Sequence, residues 1–122
     1  MADRFMADFQ AILDNVQDVA DDSLKAGVKA GCELSCDEWQ AGAPRGVTGG
    51  YAKSIRYRVK GSGREVQGHV YSTKPGMPHL LEKGHAKVGG GKTRAIVHIA
   101  PAADDGFELC EQVILATLGA GL

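Results

Sequence analysis

The apolar positions of the first forty residues fall in steps of three and four. Phe5, Phe9, Ile12, Leu13, Val16 and Val19 or Ala20 make one run, and Leu24, Val28, Cys32, Cys36 and Trp39 resume it. That is one stripe of a 3.6-residue period and predicts helix over 1–40. The stripe slips at Asp21-Asp22-Ser23, where Asp22 or Ser23 offers a cap. One long bent helix or two in tandem are therefore expected. Gly27 and Gly31 sit i, i+4 inside it, each costing about 1 kcal/mol relative to Ala. They are read first as tolerated surface glycines, and second as a site where another backbone comes close.

Pro44 and the glycines of 41–50 end this segment, and Thr48 offers a cap for a short turn over 51–54. Ile55-Arg56-Tyr57-Arg58-Val59-Lys60 then alternates apolar and basic residues, the period of a half-buried strand. Gly61-Ser62-Gly63 makes a turn. Val66, His69 or Val70, and Tyr71 carry a second strand, with a bulge expected at Gly68. A short helix over 79–83 stops at Gly84, and the glycine-rich 86–93 reads as a loop or hairpin tip. Arg94-Ala95-Ile96-Val97-His98-Ile99-Ala100 is the strongest strand pattern in the chain. Pro101 ends it and suits the first turn of a helix. Phe107, Leu109 or Cys110, Val113, Ile114 and Leu118 share a stripe over 102–118, with acids in the first turns. The expected class is α+β in a single domain, 1–122. Its helical segment is 1–40. In 41–122 come a small antiparallel sheet of three to four strands, a short helix and a C-terminal helix, with helices on one sheet face.

Composition narrows the functional classes. The 122 residues suit one domain, and 17 glycines are about twice the usual share, concentrated between Gly42 and Gly91. No apolar run approaches the ~20 residues of a membrane span, so no membrane partner is expected. The acidic, amphipathic start lacks the basic-then-apolar order of a leader. Cys32, Cys36 and Cys110 are an odd count and suggest reduced thiols. The net charge of −1 hides three blocks. Residues 1–40 hold nine acids and three bases, 41–100 two acids (Glu65, Glu82) and eleven bases, and 101–122 four acids and no base. Acidic ends around a basic middle speak of partners and assembly rather than fold.

The candidate chemistry is thin. Ala86-Lys87-Val88-Gly89-Gly90-Gly91-Lys92-Thr93 meets a relaxed phosphate-loop pattern. That chemistry needs a strand before the loop and a helix after it, and here the expected order is inverted. Cys32 and Cys36 at i, i+4 could begin a metal site, but both lie on the apolar stripe, and free cysteine is commonly a small core residue. The four histidines share no spacing, and His98 reads as a strand residue on one sheet face. No nucleophile–base set declares itself, so no enzyme, metal or cofactor is expected. The basic middle remains. Arg56, Arg58 and Lys60 recur every second residue and share a strand face; Lys53, Lys83, Lys87, Lys92 and Arg94 are grouped with them as an assembly or DNA-facing surface. Three readings stand: a patch that meets the acidic helices of a neighbouring copy, a sequence-blind DNA surface, and a plain solvent face.

The run from Pro44 to Ala102 resembles the small neck or tail-component proteins of long-tailed bacteriophages, the minor-tail-protein-Z-like group. The family pattern P-x-x-T-G-x-L-x-x-S-I is matched at Thr48-Gly49 and Ser54-Ile55, with one extra residue after Pro44 and Tyr51 where Leu is common. A later family segment is matched at Leu81-Glu82 and Gly84, with His85 for the usual Thr, and Pro101 stands before the C-terminal helix as in the family. The resemblance implies a structural virion part at the neck or upper tail: a head–tail connector or tail-completion component, made in the bacterial cytoplasm, ringing the DNA channel. Its partners would be copies of itself, neighbouring neck and tail proteins, and the passing DNA. Read from the residues, Gly49 lets the chain turn into the sheet with positive φ, Ile55, Leu80 and Leu81 are core, and Glu82 pairs with a basic neighbour in the sheet. The 84–93 loop is expected to order on meeting a neighbour. The alternative function is a sequence-nonspecific DNA-binding module using the basic sheet face.

Overall fold

The computed structural model describes residues 2–44, 49–74, 76–84 and 95–121. The architecture is α+β, as the sequence predicts, built on one helix, α1, Ala2–Gly42. Its 41 residues make a rod about 60 Å long. The acidic slip at Asp21-Asp22-Ser23 does not split it. Ser23 lies buried on the helix flank rather than capping a second helix. After α1 come α2 (Gly50–Lys53), strand β1 (Ile55–Lys60), a 3-10 turn (Gly63–Glu65), strand β2 (Gln67–Ser72), α3 (Met77–Lys83) and α4 (Ile99–Gly121).

β1 and β2 form an antiparallel hairpin in register from Ile55↔Ser72 to Lys60↔Gln67. Among the described residues the sheet has two strands, not three to four. The expected bulge at Gly68 is absent, for Gly68 pairs regularly with Val59. Glycine is needed there for a different reason. A Cβ at 68 would collide with the Cys32 Sγ on α1 and come within 2.9 Å of Val28 Cγ1. Gly61 and Gly63 turn the hairpin with φ of 86° and 59°, where a side chain is strained.

The expected third strand is the main correction. Residues 95–98 are irregular, and Ile99 already opens α4. Among the described residues, the Ile96 N–H donates to the Leu81 carbonyl at 2.7 Å. The alternating apolar pattern is overridden by a helix cap from α3, described below.

α4 returns antiparallel along α1. Ser35 Oγ donates to the Ala102 carbonyl at 2.7 Å, Gly31 faces Gly106, Gly27 faces Cys110 and Ile114, and Gly121 ends against Val19. A Cβ on Gly31 would stand 2.6 Å from the Gly106 carbonyl oxygen. The glycines at 27 and 31 are therefore not tolerated surface residues; they let two helix backbones touch. The core lies at the other end of the rod, where Cys36, Trp39 and Ala43 of the α1 end meet Tyr51, Ala52, Ile55 and Ala102. Ile55 is fully buried, and Leu81 packs against the cluster from its edge. All of this leaves α1 uncovered from residue 4 to residue 18.

Candidate assembly surfaces

The described residues among those that carry the family resemblance lie around the core or at element ends. Gly49 adopts φ 67°, ψ 16° and turns the chain into α2. Ser54 Oγ donates to the Tyr51 carbonyl at 2.5 Å and lies 2.6 Å from Ser72 Oγ, clamping the base of the hairpin. Ile55 fills the centre, while its carbonyl oxygen accepts from Gln40 Nε2 at 2.9 Å. Gly84 ends α3 at φ 75°.

Glu82 solves a specific problem. The first N–H groups of a helix have no partner inside it. One Glu82 carboxylate oxygen accepts from the backbone N–H of His98 at 2.9 Å and of Ile99 at 3.1 Å; the other accepts from Ala100 at 3.1 Å. The next residue, Pro101, has no N–H to satisfy. The start of α4 is thus complete, and Glu82 is used up there rather than paired with a sheet cation. Burial pushes the Glu82 carboxyl up, but the three N–H bonds and His98 outweigh it and hold it below its ordinary value.

His98 is buried in the core, not on a sheet face. Trp39 Nε1–H donates to Tyr51 Oη at 2.9 Å, and Tyr51 Oη lies 2.8 Å from His98 Nε2. Indole can only donate, so the phenol proton is free for His98 Nε2. His98 Nδ1 then donates to the Ile96 carbonyl at 2.7 Å, with Glu82 at 3.3 Å. Burial pushes the Tyr51 phenol up, consistent with a neutral link in this chain. Sequence reading missed this relay; the lone tryptophan on the α1 stripe was its only signal.

Arg56, Arg58 and Lys60 do share an exposed face of the hairpin, turned away from α1. His69 and Tyr71 of β2 stand opposite Arg58 and Arg56. The Arg58 guanidinium lies 5.8 Å from the Tyr71 ring centroid. Arg56 bends back onto the carbonyls of Lys53 and Ile55. Lys53 and Lys83 are exposed at the ends of their short helices. Thr48, Lys87, Lys92 and Arg94 lie outside the described residues, as do the phosphate-loop pattern and most of the 84–93 loop. Cys36 is buried in the core and Cys32 is half-buried against the hairpin. Among the described residues no cluster of three or more His, Cys, Asp or Glu could hold a metal, and no helix is long and apolar enough to cross a membrane.

Among the described residues two apolar surfaces remain uncovered. On the uncovered part of α1, Phe5, Met6, Phe9, Ile12, Leu13 and Val16 are all exposed, Phe5 by 67% and Ile12 by 61%. Further along, α1, α4 and β2 enclose an apolar trough of about 320 Å³. Val28 and Cys32 form its floor, Phe107 and Cys110 one wall, and Val70 the other.

These features define a small α+β protein whose buried polar groups fasten its elements and which exposes an apolar stripe and a basic strand face. A family model described as "Bacteriophage HK97-gp10, putative tail-component" matches residues 3–84, about two thirds of the chain. The chain belongs to this HK97-gp10-like family of phage tail components, a structural class of virion protein. No curated protein and no solved structure matches it.

Proposed function

We propose that the chain is a non-enzymatic head–tail connector, neck or tail-completion component that assembles into a ring around the DNA channel. Membership of a tail-component family supports the class. The observation that carries self-assembly is the uncovered stripe from Phe5 to Val16 on a chain that is otherwise folded. Monomers rarely expose contiguous apolar patches above a few hundred Å². The charge blocks point the same way, since acidic ends on one copy suit a basic middle on the next. Its place would be the neck or upper tail of the virion, against neighbouring neck and tail proteins, with DNA passing through. Size exclusion with light scattering at low and high salt tests this. A closed oligomer that loosens as salt rises is expected; a monomer under both conditions, also when mixed with the neighbouring tail proteins, overturns it.

A second reading is favoured by one observation: Arg56, Arg58, Lys60 and His69 on a single exposed face beside an aromatic ring. That face suits sequence-independent contact with duplex phosphates. Binding of duplex DNA by the isolated chain, falling steeply with salt and lost in an R56E/R58E/K60E variant, would favour it. No binding at low salt removes it.

A further inference from the structure

We propose that the outer face of the β1–β2 hairpin is a docking site, and that its occupant is the outward ridge of α4 in a second copy. The inference deepens the ring reading, on which it rests for the existence of a neighbour.

The two surfaces are opposite in sign. Arg56, Arg58 and Lys60 stand on the exposed face of β1, with His69 opposite Arg58 and no acid sharing the face. α4 carries four acids and no base. Its residues Ala102, Gly106 and Cys110 turn toward α1. Steps of four and three then put Asp104, Glu108 and Glu111 on the opposite side, all three exposed. Among the described residues none of these three bases and three acids forms an ion pair within the chain.

The lengths agree. Arg56 to Lys60 is four strand steps, about 13 Å. Asp104 to Glu111 is seven helical steps, about 10 Å. Long side chains span the difference. Each surface also carries an apolar group beside its charges. Tyr71 stands opposite Arg56 on the hairpin, and Leu115, one turn beyond Glu111, is 64% exposed.

The matching acidic helix is α4 and not α1. On α1, Asp18 and Asp22 share a flank with the exposed Lys25 and Lys29. Asp14 and Asp21 already accept hydrogen bonds from Gln10 and Gln17. Only the α4 ridge presents a single sign. Duplex DNA would account for the basic face but not for that ridge.

Ridge and face both point away from α1, so one chain cannot lay its ridge on its own face. Each copy therefore gives one contact and takes one. Such head-to-tail contacts close into rings when the rotation per copy allows. Complementary charge decides which surfaces meet and in what register more than it adds affinity, and like charges placed together are strongly unfavourable.

Charge reversal tests the pairing. A face variant, R56E/R58E/K60E, and a ridge variant, D104K/E108K/E111K, are purified as full chains and checked for wild-type helix content. Sedimentation at low salt should show each variant alone with its half-assembly concentration raised roughly tenfold or more, because like charges now meet. A 1:1 mixture should recover the wild-type assembled mass, since reversed face meets reversed ridge and native face meets native ridge. High salt should remove that recovery. The single reversals R58E and E108K repeat the test with less strain on the fold. A mixture that does not recover the wild-type mass overturns the pairing. Variants that each assemble like the wild type overturn it while leaving the ring reading intact. Duplex binding lost in the face variant, with the ridge variant assembling normally, gives the face to DNA and overturns it too. A wild-type chain that never self-associates overturns both readings.

Discussion

Glu82 and His98 are joined across the α3–α4 junction by the side chain of one and the backbone of the other. The Glu82 carboxylate accepts the His98 N–H at 2.9 Å and stands 3.3 Å from its ring Nδ1. The same carboxylate takes the N–H groups of Ile99 and Ala100, so a residue sixteen positions upstream caps α4.

Removing this cap should be costly. An E82A variant leaves three donors without an acceptor, and a lost cap alone is worth about 1 kcal/mol, up to about 2. Chemical denaturation should show at least that loss. E82Q, which keeps an acceptor, should lose less.

The cap also carries a pH dependence. The Glu82 carboxyl is held below its ordinary value of 4.5 in the folded chain. Its contribution is fully present above 4.5 and is lost as pH falls through the lowered folded value. Denaturation midpoints measured downward from neutral pH should fall in that window for the wild type, and less steeply for E82Q.

Tyr51 links two buried groups. A Y51F variant leaves Trp39 Nε1–H and His98 Nε2 without their partner. An unsatisfied buried polar group costs about 1–3 kcal/mol. Equilibrium unfolding should show a loss in that range with unchanged helix content.

The helix contact should tolerate no methyl group. In G31A the new Cβ would stand 2.6 Å from the Gly106 carbonyl oxygen, and in G106A it would run into Ser35 Oγ. Such overpacking costs about 1–3 kcal/mol. G119A is the control, because nothing lies within 4 Å of its new methyl group. It should stabilise by up to about 1 kcal/mol through helix propensity alone.

Asp105 of α4 lies close enough to Glu38 of α1 to share a proton with it, and this, then burial, raises the Glu38 carboxyl above its ordinary value. Two carboxylates cannot hydrogen-bond without a proton, and the raised Glu38 carboxyl is the one that takes it. E38Q supplies a donor at every pH, so the variant should be more stable than the wild type at neutral pH. The advantage should vanish in acid, where Glu38 is itself protonated. Thermal melts at two pH values check both signs.

Local periodicity made the helices and the hairpin legible. The stripe from Phe5 to Trp39 located α1, and the alternation from Ile55 to Lys60 located β1. What stayed hidden depended on partners distant in sequence. Ile96–Val97–His98–Ile99 reads as strand until Glu82 supplies the cap and Pro101 removes the next donor. Gly27 and Gly31 read as tolerated until Gly106 and Cys110 of α4 come opposite. The stripe itself misled in one respect: periodicity says that a face is apolar, not that the same chain covers it. Phe5 and Phe9 lie on the same stripe as Trp39, yet Trp39 is core and the phenylalanines are bare. For the candidate surfaces, the strand alternation correctly put Arg56, Arg58 and Lys60 on one face, while the trough arises only from packing and has no sequence signature.

Copies of this chain are proposed to close into a ring. Negative-stain electron microscopy of the purified full chain at low salt tests it most directly. Annular particles of one diameter with an open centre are expected, lost in the F5S/F9S/I12S variant. Single compact particles, or open filaments of indefinite length, would contradict it.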